Sequence, residues 1–210
     1  MAETNPKLVD FYRSRISEHG FNYEAMWGDT AQWKSSERFR PLLALPIAQG
    51  DVVVDIGCGT GHLAGFLKAS GRDVKYIGVE AVSEFANRAK EETGCEIVEL
   101  DAFRNLQDLP EADWYVTFGT INKSWSVADL EGTDDEERVQ LLVERLYQKA
   151  RKGVAASMVT SVVDYRKPGV VNVDPAAMSA RLKSLTPFFM IYHGYEFYEF
   201  FAGAWRGTRR

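Results

Sequence analysis

Val52-Val53-Val54-Asp55-Ile56-Gly57-Cys58-Gly59-Thr60-Gly61 is the stretch whose reading decides the fold. A short, continuous, β-branched run closed by glycines fits a strand buried on both faces of a parallel sheet. Leu63, Phe66 and Leu67 follow at i, i+3, i+4 spacing before Gly71, which predicts a helix, and residues 74–79 repeat the buried-strand pattern. The unit is β-α-β. Three glycines at its first turn let backbone pass close to a ligand without a Cβ in the way. A glycine turn is also a common strand-to-helix connection with no ligand, so the loop needs support from elsewhere in the chain.

Working outward, the alternation continues. A helix is predicted from Ser83 to about Glu92, then strands at Ile97 to Leu100 and Trp114 to Phe118. Thr133 with Glu136 reads as a capping box, and Val139, Leu142, Val143 and Leu146 form one apolar helical stripe leading to a strand at Val154 to Val159. Asp174-Pro175 marks another helix start, with Met178, Leu182 and Leu185 as its buried face. Aromatic strands at Phe188 to Tyr192 and Phe197 to Trp205 end the chain. The expected fold is α/β, Rossmann-like and doubly wound: a mainly parallel seven-stranded sheet whose final strand is antiparallel. Residues 1–210 form one domain, with 1–45 as an N-terminal helical lid or cap. Ligands of such sheets bind beyond the carboxyl ends of the strands.

Acids close the first three strands. Asp55 ends the first, Glu80 the second, where a carboxylate can accept both hydroxyls of a ribose diol, and Asp101 the third, where it can accept an exocyclic adenine amine. The backbone amide of Ala102 is placed to reach the ring nitrogen beside that amine. Any one of these acids alone has a second reading as a helix N-cap. A dinucleotide fingerprint would want glycine where His62 stands and needs no acid at Asp55.

VVVDIGCGTGHLAGFL resembles the S-adenosylmethionine (SAM) binding signature of class I methyltransferases, and YIGVEAV resembles their ribose-binding strand. The resemblance implies that Gly57, Gly59 and Gly61, with Cys58 in the same loop, approach the methionine part. It likewise implies that Asp55 orders the loop, Glu80 holds the ribose, Asp101 and Ala102 face the adenine, and Ala81 and Val82 flank that ring. ADWYVTFGTINKSW matches the family's fourth strand, so Phe118 to Asn122 are expected to border both methionine and substrate. SSERF, FGTIN, VDP and HGYEFYEFF are similar to a bacterial subgroup of these enzymes, a similarity that spans most of the chain and names no substrate. In similar enzymes an N-terminal segment makes a lid. Tyr12, Phe21, Tyr23, Trp27, Trp33 and Phe39 suit one, and they suit equally helices packed on the sheet edge. From such a lid Arg38 or Arg40 is implied as a partner for the SAM carboxylate.

The expected reaction is transfer of a methyl group from SAM to a small-molecule acceptor, at oxygen or nitrogen. Such a displacement disperses charge, so alignment matters more than acid–base chemistry. Candidate catalytic groups are Asn122, with a donor and an acceptor beside the reactive centre, and His193, the one histidine near the late substrate-facing edge. Lys123 is expected to face solvent. Two other classes stay open at this point: a non-catalytic SAM-fold scaffold or partner protein, and a nicotinamide-dependent oxidoreductase.

Composition narrows the partners. With 25 Lys and Arg against 30 Asp and Glu, the net charge is −5, and no basic stripe is visible, so a nucleic-acid partner is not expected. Gly119-Thr120-Ile121-Asn122 stands where nucleobase amino methyltransferases would carry an Asn/Asp-Pro-Pro-aromatic loop. No apolar run approaches the ~20 residues of a membrane span. Cys58 and Cys95 make no disulfide framework and no metal constellation is apparent, so a cytoplasmic protein without a metal is expected.

Overall fold

The computed structural model describes residues 4–21, 25, 35–124, 134–195 and 198–207. Seven strands form one sheet in the order β3-β2-β1-β4-β5-β7-β6. They are β1 (Val52–Ile56), β2 (Lys75–Glu80), β3 (Glu96–Glu99), β4 (Trp114–Phe118), β5 (Gly153–Val159), β6 (Phe189–Tyr192) and β7 (Glu199–Trp205). Strands β1 to β5 pair in parallel, whereas β7 runs antiparallel to both β5 and β6. The two last strands pair antiparallel as a hairpin-like ending that closes the sheet at β6. Within it β7 lies between β5 and β6, and seven residue pairs from Gly153↔Trp205 to Val159↔Glu199 place its apolar residues in the core.

Helices cover both faces. Those described are α1 (Pro6–His19), α2 (Ser35–Phe39), α3 (His62–Ala69), α4 (Ser83–Thr93), α5 (Asp135–Lys149) and α6 (Pro175–Leu185). Strand periodicity sorts side chains between the two faces. Val54, Ile56, Tyr115, Phe200 and Ala202 point into a core with Val139, Leu142, Met178 and Leu182 of α5 and α6. Their neighbours Val53, Trp114, Val116 and Phe201 point the other way, against Phe39, Leu42, Leu63 and Leu67. Gly153 has no Cβ to meet the Trp114 ring, which would lie 2.5 Å from it, so the indole packs flat and donates to Asp51 at 3.0 Å.

Caps explain several boundaries. Asn5 accepts the Lys7 amide ahead of Pro6, and Asp174 accepts the Ala176 amide ahead of Pro175. Thr133 lies outside the described residues. The cap of α5 is Asp134, whose carboxylate accepts the Glu137 amide at 2.8 Å, one residue later than the sequence pattern suggested. Among the described residues no helix is long and apolar enough to cross a membrane.

Since β1 lies between β2 and β4 in the sheet, the connections leaving β1 and β4 diverge. A crevice opens at their carboxyl ends, the topological switch point of such sheets.

Candidate active site

A cavity of about 70 Å³ fills that crevice. Asp55, Gly57, Cys58, Gly59, Glu80, Ala81, Asp101, Ala102 and Phe118 all line it, so three strand ends and the glycine loop converge as expected. Gly119 and Thr120 continue the wall beyond β4.

Glu80 organises this region. One carboxylate oxygen accepts the amides of Ala81 and Val82, both at 2.9 Å, while the other accepts the amide of Gly59 at 2.9 Å. Burial pushes its pKa up to about 7 despite these amides, which act in the opposite direction. Asp55 is buried beneath the loop, accepts the Tyr76 hydroxyl at 2.7 Å, and is likewise pushed up to about 7 by desolvation. Two carboxyls of the same cavity thus sit close to the neutral boundary.

The glycines divide the work. Gly57 adopts φ +71°, and a Cβ there would lie 2.3 Å from the Thr120 hydroxyl, which reaches back to the Ile56 carbonyl. Gly61 departs from the expectation that it approaches the cofactor. It does not line the cavity; at φ +86° it faces α4, where a Cβ would meet Thr93 at 2.5 Å, so its role is close helix packing. Val82 also differs, being buried in a cluster with Leu8 and Phe85 rather than bordering the cavity.

The N-terminal segment covers the cavity beside Asp101. Leu8 and Tyr12 of α1 line the cavity, and the Asn5 amide donates to Asp101 at 3.0 Å. Burial and the Glu80 charge raise the Tyr12 hydroxyl to about 12. Phe39 lines the cavity too, meeting Phe118 edge to face at 4.9 Å. Tyr23, Trp27 and Trp33 lie outside the described residues. Phe21 packs edge to face on Phe85 at 6.0 Å.

Four side chains stand elsewhere than expected. Arg38 does not reach the cavity: its guanidinium is bidentate on Glu199 of β7, with Nε donating to Oε1 at 2.9 Å, and both groups are largely buried. Opposite charges in a low-dielectric setting hold each other more strongly than an exposed pair would. Asn122 does not line the cavity; its side-chain oxygen accepts the Val159 amide at 3.1 Å and its carbonyl accepts the Val171 amide at 2.9 Å, so it ties loops together. His193 is exposed after β6, with its ring against Phe200 at 6.3 Å and no place in the cavity wall. Lys123 is half-buried rather than solvent-facing, its ammonium 5.4 Å from the Phe11 ring.

Sequence reasoning passed over Asn5, Leu8, Tyr76, Phe85, Phe103 and Glu199, and His62, weighed there only as a missing glycine, lines the cavity. Asn5, Tyr76 and Glu199 have no local signature, because each is held by a residue far away in the chain. Among the described residues no group of acids, histidines and cysteines is arranged to hold a metal ion.

The fold and the loop define an α/β domain with a crevice at the switch point of its sheet. Residues 53–145 match the family described as a methyltransferase domain. Similar solved structures include the DhpI–SAH complex (18% identity, 96% of each chain, TM-score 0.62). Mitomycin 7-O-methyltransferase MmcR is also similar (17% identity, 93% of this chain and 60% of that one, TM-score 0.61). A SAM dependent methyltransferase from Archaeoglobus fulgidus shares 16% identity over 87% of this chain and 97% of its own, with a TM-score of 0.59. No curated protein sequence matches the chain. The family match thus falls on the part of the chain that carries the glycine loop and the acids Asp55, Glu80 and Asp101, and the solved structures share its fold.

Proposed function

We propose that the chain transfers a methyl group from SAM to a small-molecule acceptor, at oxygen or nitrogen. The observation that carries this reading is the convergence of Asp55, Glu80 and Asp101 with the glycine loop on one cavity. Those groups fit the cofactor. Gly57 and Gly59 leave backbone open to its methionine part, Glu80 offers carboxylate oxygens for ribose hydroxyls, and Ala81 and Ala102 are small enough to border a flat adenine. SAM supplies an electrophilic methyl on a sulfonium when bound. The protein's part is alignment, with Phe39, Phe118 and Tyr12 excluding water around the transfer. Neither Asn122 nor His193 lines the cavity, so the mechanism rests on positioning rather than on a base from either side chain.

Several features support a small acceptor. The net charge is −5, and a neighbour in fold, MmcR, is named for O-methylation of mitomycin. We read α1 and the 35–44 segment as a lid of the single domain: a cavity of about 70 Å³ is well below the ~300 Å³ of ordinary ligand sites, and Leu8, Tyr12 and Phe39 of these segments line it. Free thiols at Cys58 and Cys95 support residence in a reducing cytoplasm.

Calorimetric titration with SAM and S-adenosylhomocysteine (SAH), on wild type and Glu80→Ala, tests the proposal. Micromolar binding, weakened 10-fold or more by the substitution (roughly 1.4 kcal/mol), is the expected result. Failure of wild type to bind either ligand would overturn it.

A further inference from the structure

Beside the cavity lies a cluster of positive charge that the cofactor reading does not use. Phe11 of α1 carries two cations on its ring: the Arg15 guanidinium carbon at 5.9 Å and the Lys123 ammonium at 5.4 Å. Lys167 is brought to the same place by backbone. Lys123 bridges Val170, Ser124 donates to Gly169, Val171 donates to Asn122, and Val170 donates to Lys167, so the loop around residue 167 is pinned to the loop after β4. Among the described residues no carboxylate lies within ion-pair distance of Lys123 or Lys167.

The cluster adjoins the reaction centre on both sides. Thr120, three residues before Lys123, lines the cavity, and so does Tyr12, the chain neighbour of Phe11, whose ring stacks edge to face on it at 5.1 Å. Arg15 charge is felt at the Tyr12 hydroxyl as well as at Lys123. Burial, Lys167 and Arg15 all push the Lys123 ammonium below its ordinary range, and among the described residues no acid offsets them. A half-buried ammonium beside a second lysine is an electrostatically costly arrangement unless an anion joins it. Lysine and arginine around an aromatic ring can meet an oxyanion with charge-assisted hydrogen bonds while the ring packs on the ligand's apolar part.

We infer that the methyl acceptor carries an oxyanion, a carboxylate or a phosphate-type group, and that Lys123, with Lys167, holds it beside the cavity. This rests on the methyltransferase reading and names the acceptor's class within it. The affinity for SAH belongs to Glu80 and the glycine loop, so the two readings separate in one experiment.

Wild-type protein, with and without saturating SAH, is titrated by calorimetry with inorganic phosphate and with acetate, ionic strength being held constant with chloride. Saturable low-millimolar binding of one or both anions is expected, weakened fivefold or more in Lys123→Gln and in the exposed-site variant Lys167→Gln, with SAH affinity unchanged in both. Binding of phosphate alone assigns a phosphate-type acceptor, of acetate alone a carboxylate, and of both a general oxyanion site. Absence of saturable binding beyond the chloride control, or equal binding in wild type and both variants, overturns the inference. Loss of SAH binding by wild type would instead sink the methyltransferase reading, while the titration without SAH still judges the charge cluster.

Discussion

The carboxylate of Glu80, at the end of β2, accepts the amide of Gly59 at 2.9 Å and so joins the second strand to the middle of the glycine loop. The same carboxylate holds the turn into α4 through Ala81 and Val82. One side chain therefore shapes both walls of the cavity, and its ionisation state bears on both.

Cofactor affinity should depend on pH near neutrality. Burial places Glu80 and Asp55 each at about 7, and a ligand whose hydroxyls donate to Glu80 selects the ionised form. SAH affinity is expected to fall as pH drops below 7, by up to about tenfold per pH unit for one group, and to level off above pH 8. Calorimetry at pH 6.5 in buffers of different ionisation enthalpy should show proton release on binding; proton uptake would contradict the assignment. For folding without ligand the sign is opposite. A carboxyl raised from about 4 contributes stability that is present at low pH and lost as pH rises through 7, so these two groups favour the unliganded fold more at pH 6 than at pH 8.

Gly57→Ala should destabilise the fold by about 2–3 kcal/mol, combining a positive φ with a Cβ pressed into Thr120. A shift of the urea midpoint with an unchanged slope is the expected reading. Wild-type stability in this variant would mean that the loop relaxes without cost.

Breaking the Arg38–Glu199 pair from one side should cost about 3–5 kcal/mol, since it strands a buried charge. Glu199→Gln would also weaken the acceptor for the Tyr195 hydroxyl, now at 3.0 Å. Arg38→Met with Glu199→Leu is expected to recover most of the loss. Additive effects in the double-mutant cycle would show that the two side chains are not coupled.

If α1 is a lid, SAH should change its exposure. Limited proteolysis is expected to cut within residues 1–45 more slowly in the presence of SAH, because Leu8 and Tyr12 then close on a ligand rather than on a narrow cavity. Identical digestion patterns with and without SAH would remove the lid.

Local pattern and chemistry in the sequence settle the strand–glycine–helix unit, the alternation of strands and helices, and the acids at three strand ends. Periods of 2 and 3.6 residues and the steric freedom of glycine are properties of short stretches, which is why Asp55, Gly57, Glu80 and Asp101 were legible there. Contacts between residues far apart in the chain were decided by the tertiary structure alone. Arg38 stands 161 residues from Glu199 and Asn5 stands 96 from Asp101, and nothing in either neighbourhood announces the partner. Gly61 illustrates the boundary: its positive φ belongs to the motif, but whether it faces a ligand or Thr93 depends on where α4 packs. Burial works the same way, since a lysine three residues beyond the cavity wall reads as surface until α1 folds across it and sets an aromatic ring beneath its charge.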